Sequence, residues 1–296
     1  MLNRSNAARR GIETTDIMVS HVQSASPDVF SVPVKKQPVS LRILDVVVAS
    51  IGLVLSLPVI AVACLFIWLE DRDNPFYIAT RIGAGGKPFK FIKLRSISRK
   101  SGVRPDEIIP ASDTRVTRLG HFIRATKLDE LPQFLHVLRG EMSLVGPRAN
   151  VPAIVASFTP EEMRIISVKP GITDLASIVF LKMGSMLRDS TDPKGDYERL
   201  VRPWKSRLAL LYVDRQSFGL ACKVLWLTVL AFLNHDRALK GVAKIAETHR
   251  VHPKLAPIVR REQELVPFPP PGADQILHPA NRPLMELERE RIPLSA

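Results

Sequence analysis

The sequence predicts an α/β fold, in which a small β-sheet and several helices form one globular domain behind a membrane-anchoring helix. The run from Val46 to Leu69 contains no charged residue. As a straight helix it would be roughly 36 Å long, against roughly 30 Å of bilayer hydrocarbon. Two strand-like runs, FYIATRIG and KPFKFIKLRS, flank a glycine-rich turn. Helical patterns follow, and the most apolar one, SFGLACKVLWLTVLAFL, is short for a membrane span and favours amphipathic packing or docking at the lipid interface.

Four parts are predicted along the chain. Residues 1–38 are polar and without periodicity, which predicts a disordered cytoplasmic arm. Residues 39–70 are expected to form the membrane-anchoring helix, and residues 71–245 the globular domain with the catalytic residues. Residues 246–296 are rich in proline and predict a flexible tail.

The apolar helix contains Ser56 and Pro58 near its middle. Proline cannot donate a hydrogen bond to the carbonyl of Val54, and its ring crowds that carbonyl, so we expect the helix to break or kink here. The Ser56 hydroxyl is expected to bond a carbonyl that the proline leaves free. Basic residues lie on both sides of the run, so the positive-inside rule does not orient it. Two topologies therefore stay open: a re-entrant helix with both ends on one membrane face, and a kinked spanning helix.

The composition points to an anionic partner. The 296-residue chain carries a formal net charge of +13, which suits nucleic acid, anionic lipids or phosphorylated substrates. Aromatic residues make up only 6%, which is few for a protein that stacks bases, and no nucleic-acid-binding signature is present. We therefore expect no nucleic-acid partner, and expect membrane lipids and phosphates to account for the basic excess.

An acidic pair, Asp129 and Glu130, lies among basic residues in the run RATKLDELPQFLHVLRGEMSLVGPR. A carboxylate is ionised at pH 7 and can attack phosphorus. When the carboxylate approaches a diphosphate to about 4 Å, each pair of negative charges repels by roughly 4 kcal/mol. Cations must therefore offset that repulsion. The ordinary alternative is a helix capping box, with Thr126 as the N-cap and Asp129 three residues later.

Three stretches together resemble the bacterial sugar transferase family, the monotopic polyprenol-phosphate phosphoglycosyl transferases. They are KPFKFIKLRS, the run around the acidic pair, and KPGIT, behind an apolar helix with a central proline, and the similarity extends over residues 41–233. The resemblance implies transfer of a sugar-1-phosphate from a UDP-sugar to polyprenyl (undecaprenyl) phosphate, with release of UMP, to start exopolysaccharide or glycoconjugate synthesis. It also implies magnesium (Mg2+), a re-entrant anchor, and a catalytic domain on the cytoplasmic face of the bacterial inner membrane. Downstream glycosyltransferases are further partners that it allows.

The family's functional residues carry over onto matching positions of this sequence. Asp129 becomes the nucleophile, which forms a phosphosugar-aspartyl intermediate, and also the carboxylate that contacts the metal. Glu130 becomes its partner. The side chains expected to bind phosphate or substrate are Arg124, Arg148, Arg95, Lys93 and Lys182.

Four positions depart from the family pattern: Ala149, Asp174, Leu181 and Ala221. Leu181 stands where many members have an arginine that holds phosphate. These departures leave the acidic pair intact, but they motivate an alternative function, a catalytically weakened membrane scaffold of the same family.

Overall fold

The computed structural model describes residues 30–98, 115–181, 190 and 192–276, without the side chains of residues 193 and 194. Lys182 and most of the predicted arm therefore lie outside the described residues. The α-helices are α1 Val39–Asp71, α2 Arg118–Ala125, α3 Gln133–Arg139, α4 Pro152–Val155, α5 Leu175–Val179, α6 Pro193–Asp196, α7 Arg202–Arg215, α8 Phe218–Leu233, α9 His235–Thr248 and α10 Leu255–Val259. The strands are β1 Phe76–Ile82, β2 Pro88–Leu94, β3 Ser143–Val145 and β4 Gly171–Thr173. The 3-10 helices span Ala84–Gly86, Leu128–Glu130 and Glu162–Ser167, and a π-helical segment spans Tyr197–Val201.

The predicted mixed fold with little sheet is confirmed as a helix-rich domain with two two-stranded sheets. Strands β1 and β2 form an antiparallel hairpin in which Phe76 pairs with Leu94 and Ile82 with Pro88. Its turn uses Gly85 at a φ of 71°, a conformation that glycine adopts without steric cost. Strands β3 and β4 pair in parallel. The two strand-like runs of the sequence are therefore one hairpin.

Helix α1 is, among the described residues, the one helix long and apolar enough to cross a membrane. Near its beginning, the Arg42 guanidinium donates to the carbonyls of Val137 and Leu138, at 2.6 and 2.8 Å. Asp45, only 2% exposed, accepts hydrogen bonds from the Ser143 hydroxyl and the Leu144 amide, each at 2.9 Å. The first turns of α1 are thus fixed to the globular domain.

The other end of α1 is fixed to the same domain. Ala63 and Ile67 pack in a cluster with Leu94 of β2 and Ile123 of α2. Asp71, the last residue of the helix, forms an ion pair with Arg95 directly after β2. Along its whole length α1 also carries exposed apolar side chains. Its exposed side chains are Val39, Ile43, Val46, Val47, Ile51, Val54, Leu55, Leu57, Val59, Val62, Leu65, Phe66, Trp68 and Leu69.

The predicted helix break at Ser56 and Pro58 does not divide α1, which runs through Pro58 as one element. The Ser56 hydroxyl donates to the carbonyl of Leu53 at 3.1 Å, one residue before the carbonyl of Val54 that the proline cannot bond. One missing hydrogen bond is tolerated because the helix packs against the domain on both sides of the proline.

The described parts of the arm and the tail, residues 30–38 and 246–276, contact the globular domain. In the arm, Phe30 and Val32 pack against an apolar cluster of the domain, and the Lys35 ammonium donates to the carbonyl of Val213 at 2.6 Å. In the tail, Leu255 is fully buried, and Phe268 stacks on Trp204 with ring centroids 4.7 Å apart. Within residues 30–38 and 246–276, a few apolar side chains therefore hold each segment against the globular domain.

Candidate functional site

The acidic pair lies in a tight turn between α2 and α3. Helix α2 ends at Ala125, and Lys127 adopts a left-handed conformation with a φ of 59°. The chain then makes the single 3-10 turn Leu128–Glu130. The Thr126 hydroxyl donates back to the carbonyl of Phe122 at 2.8 Å, and no side-chain cap is formed at this turn. The capping-box alternative for Asp129 is therefore wrong.

Asp129 is a buried carboxylate with an unpaired oxygen. It is 7% exposed, and its Oδ1 has no hydrogen-bond partner among the described residues. Burial and the neighbouring charge of Glu130 raise the pKa of this carboxyl above its ordinary value. The positive charges of Lys93, Lys127 and Arg124 oppose the rise. A buried oxygen without a hydrogen-bond donor costs free energy, so contact of this oxygen with a ligand would be favourable.

Glu130 is held by Arg148. The two guanidinium Nη atoms donate to the two carboxylate oxygens, each at 2.9 Å, in the bidentate geometry of a strong ion pair. Arg148 also donates to the carbonyl of Ile172 in β4, at 2.6 Å. Burial alone would raise the pKa of the Glu130 carboxyl, but the charge and hydrogen bonds of Arg148 outweigh it and lower that pKa. Glu130 is therefore a fixed anion, and Asp129 is the carboxylate of the pair with an unpaired oxygen.

Lys93 faces the acidic pair from β2. Its ammonium lies 5.1 Å from the ring centroid of Tyr77, its cross-strand partner in the hairpin. Burial lowers the pKa of this amine to about 8, although the negative charge of Asp129 opposes the change. Lys93 thus lies where sequence analysis placed a phosphate-binding cation.

Two of the predicted arginines have different partners. Arg124 donates through Nε to the Ser96 hydroxyl at 2.8 Å, and its charge acts on Asp129. Arg95 instead forms an ion pair with Asp71 and is 7% exposed. The reason is local: β2 ends at Leu94, so the next residue follows the chain towards the end of α1. The structure therefore brings Asp129, Glu130, Arg124, Arg148 and Lys93 together and gives Arg95 a structural partner.

Sequence reasoning missed three further polar side chains. Lys127 acts on Asp129 from the same turn. Arg81 lies in β1. Its charge lowers the pKa of Lys93, and the charge of Arg148 lowers the pKa of Arg81. Gln133 is fully buried, with both amide atoms unpaired among the described residues. Pairing the two strand-like runs in register would have placed Arg81 and Lys93 on one face of the hairpin, because alternate residues share a face.

The four departures from the family pattern have structural roles. Asp174 is the N-cap of α5, where its carboxylate accepts from the Ser177 amide. Ala149 and Leu181 pack against the main core, and Ala221 is 2% exposed within it. None of these contacts displaces a residue of the acidic pair.

The site suits a divalent cation that is shared with a substrate. The described residues contain no group of three or more His, Cys, Asp or Glu side chains that could enclose a metal ion. Mg2+ commonly binds through one or two carboxylates together with substrate phosphates and water. The unpaired Oδ1 of Asp129 fits that arrangement, with Asp129 as the protein ligand.

Comparison with known proteins assigns the chain to a family. The sequence model described as bacterial sugar transferase matches residues 36–235. The UDP-glucose:undecaprenyl-phosphate glucose-1-phosphate transferase of Caulobacter vibrioides is 36% identical over 204 residues, 67% of this chain and 71% of that protein. The enzyme of the same name from Escherichia coli (strain K12) is 34% identical over 194 residues, 64% of this chain and 39% of that protein.

Other relatives carry names with a different sugar. The UDP-N-acetylgalactosamine-undecaprenyl-phosphate N-acetylgalactosaminephosphotransferase of Aeromonas hydrophila is 36% identical over 141 residues, 47% of this chain and 33% of that protein. The family match extends from the beginning of α1 to the end of α8 and includes every residue of the site. The family predicted from the sequence motifs is thereby confirmed: the chain belongs to the bacterial sugar transferase family.

Proposed function

We propose that this protein transfers a sugar-1-phosphate from a UDP-sugar to undecaprenyl phosphate, or another polyprenyl phosphate, at a membrane surface. The observation that carries the proposal is Asp129, a buried carboxylate with an unpaired oxygen among cations, in a family whose relatives are named as such transferases. The relatives act by name on glucose or N-acetylgalactosamine, so the proposal is limited to UDP-sugars as a class. The product would be the first lipid-linked sugar of an exopolysaccharide or glycoconjugate, on which downstream glycosyltransferases would act.

In the first proposed step, an Asp129 oxygen forms a bond to the sugar-bearing phosphorus of the donor. The bond from that phosphorus to the oxygen shared with the second phosphate breaks, and UMP leaves with the electron pair. The enzyme then holds a phosphosugar-aspartyl intermediate. Lys93, Lys127 and Arg124 would offset the repulsion between the attacking carboxylate and the diphosphate.

In the second step, a phosphate oxygen of the polyprenyl phosphate forms a bond to the same phosphorus. The bond to Asp129 breaks, the carboxylate is regenerated, and the lipid carries the sugar through a diphosphate. Glu130 contributes by its position, because its ion pair with Arg148 joins the acidic turn to β4 and keeps a second anion next to Asp129. In the first step, Asp129 together with the phosphates of the donor would hold Mg2+, which would supply positive charge at the phosphates.

We infer further that α1 is a re-entrant anchor. Both ends of the helix contact the same domain, through Arg42 and Asp45 at one end and through Ile67 and Asp71 at the other. A spanning helix would carry one end away from the domain, and at the Asp45 end it would break the two hydrogen bonds from Ser143 and Leu144. The domain, and the site with it, would then lie on the cytoplasmic face of the bacterial inner membrane, with the apolar side of α1 among lipid chains.

Replacement of Asp129 by Asn is expected to reduce UMP release from a UDP-sugar to the background rate, because an amide is a poor nucleophile towards phosphorus. The assay uses the full chain in detergent or nanodiscs, with a panel of UDP-sugars and a polyprenyl phosphate. Asp236→Asn is the matched control, since Asp236 is exposed on α9, and it should keep the wild-type rate. EDTA should stop UMP release by the wild type, and added Mg2+ should restore it. Full turnover in Asp129→Asn would reject the proposal, and donor binding without any UMP release by the wild type would favour the scaffold.

The pH dependence of kcat/KM is expected to fall on the alkaline side as Lys93 loses its proton. The pKa of this amine is about 8, lowered by burial, raised by Asp129 and Glu130, and lowered by Arg124 and Arg81. The cation is present below that pH and is lost above it, so transfer should weaken as the pH rises through about 8.

Lys93→Arg should move this alkaline limb to higher pH, because a guanidinium stays charged. Lys244→Gln changes an exposed lysine of α9 and should leave the profile unchanged. An alkaline limb that stays in place in Lys93→Arg would show that another group titrates there.

The re-entrant topology predicts that both ends of α1 face the cytoplasm. Single cysteines at Val39 and Glu70, both exposed, are introduced after replacement of Cys64 and Cys222. A membrane-impermeant maleimide should label neither position in intact spheroplasts and both after permeabilisation. Lys244→Cys on α9 reports the side of the domain, and labelling of only one helix end in intact spheroplasts would establish a spanning helix.

A further inference from the structure

Arg81 lies on the face of the β1–β2 hairpin that carries Lys93. It pairs in register with Phe89, while Tyr77 pairs with Lys93, so all four side chains emerge on one face. The Arg81 guanidinium carbon lies 5.6 Å from the ring centroid of Phe91, which is on the same face. The hairpin thus presents two cations on one face, four residues apart in register, and one of them, Lys93, acts on the acidic pair.

The Arg81 guanidinium lacks the anionic partner that other sheltered arginines have. Arg148 forms an ion pair with Glu130, Arg95 with Asp71, and Arg202 with Glu162. Within the described residues Arg81 forms no ion pair, and its Nε is buried without a hydrogen-bond partner. Burial lowers the pKa of this guanidinium, Tyr77 raises it, and the charge of Arg148 lowers it further. A partly buried cation in this position is costly unless an anion pairs with it.

The surroundings define the kind of anion. Arg81 lies near enough to Lys93 and Arg148 for these charges to act on one another. Arg148 is already paired with Glu130, so the charge left unbalanced is that of Arg81 together with Lys93. A phosphate has several oxygens and accepts charge-assisted hydrogen bonds from a guanidinium fork, which suits a site with two cations and one unpaired Nε.

The position of Arg81 relative to Asp129 distinguishes between the phosphates. The cations that act on Asp129 include Lys93, Lys127, Arg124 and Arg148. Along the hairpin Arg81 lies four residues, roughly 13 Å, from Tyr77, the cross-strand partner of Lys93, so the two cations can contact different phosphates of one donor. In an in-line displacement the leaving oxygen is opposite the attacking one. A cation beyond Lys93 therefore suits the departing phosphate.

We propose that Arg81 binds the nucleotide phosphate of the donor, the one that leaves as UMP. This inference rests on the proposed function. When the bond between the two phosphates breaks, the electron pair goes to the oxygen of UMP. The Arg81 guanidinium would donate hydrogen bonds to that phosphate as its charge increases, without transfer of a proton.

The first test measures binding without turnover. In the full-length Asp129→Asn protein in nanodiscs, calorimetry compares UMP with uridine before and after Arg81→Gln. We expect UMP to bind about tenfold to hundredfold more weakly and uridine to bind unchanged, because the lost contact is to phosphate. Arg81→Lys should recover part of the UMP affinity. Arg237→Gln, which replaces an exposed arginine of α9, is the control and should leave the UMP affinity unchanged. Unchanged UMP affinity in an Arg81→Gln protein that keeps the parent melting temperature would overturn the assignment.

The second test separates the nucleotide phosphate from the acceptor phosphate. With Asp129 intact, Arg81→Gln should raise the KM for the UDP-sugar and lower the rate of UMP release in the absence of acceptor, while the KM for polyprenyl phosphate stays unchanged. A raised KM for the polyprenyl phosphate alone would assign Arg81 to the acceptor and overturn the proposal. Absence of UMP release from the wild type with every UDP-sugar would instead be a failure of the proposed function, and the calorimetric comparison distinguishes these two results.

Discussion

A carboxylate can attack a diphosphate only where positive charge offsets their repulsion, and the described site is arranged around this constraint. Asp129 is buried with one oxygen unpaired, and the cations that act on it come from β2, α2 and its own turn. Glu130 next to it adds a negative charge, which the bidentate ion pair with Arg148 balances. The result is one paired carboxylate and one with an unpaired oxygen, so the two acidic residues have different environments although they are neighbours in sequence.

The same constraint links the site to the apolar helix. Leu128, directly before Asp129, packs in the cluster that contains Ala63 and Ile67 of α1. Gly52 lets the Phe134 ring of α3 approach the helix backbone, since a Cβ at that position would lie 2.8 Å from the ring. The turn with Asp129 therefore rests on the helix whose other side is exposed and apolar. In the proposed arrangement this brings a water-soluble donor and a lipid-linked acceptor to one carboxylate, without any large movement of the domain.

Local features of the fold could be predicted from the sequence, because they depend on residues close along the chain. The hairpin follows from two β-prone runs around glycines. Features that depend on distant contacts could not. Arg95 pairs with Asp71 across 24 residues, and Phe268 stacks on Trp204, so neither a strand pattern nor a proline count could reveal these positions. Lys93 was predicted by motif, whereas Arg81 needed the strand register.

The central claim is that Asp129 forms a covalent bond to the phosphosugar, and intact-protein and peptide mass spectrometry test it most directly. The wild-type chain is incubated with Mg2+ and a UDP-sugar that supports UMP release, with no lipid acceptor, and is then quenched and digested. The account predicts one added phosphosugar per chain, located on the peptide that contains Asp129 and removed when polyprenyl phosphate is supplied before quenching. UMP release with no adduct, or an adduct on a peptide without Asp129, would contradict it.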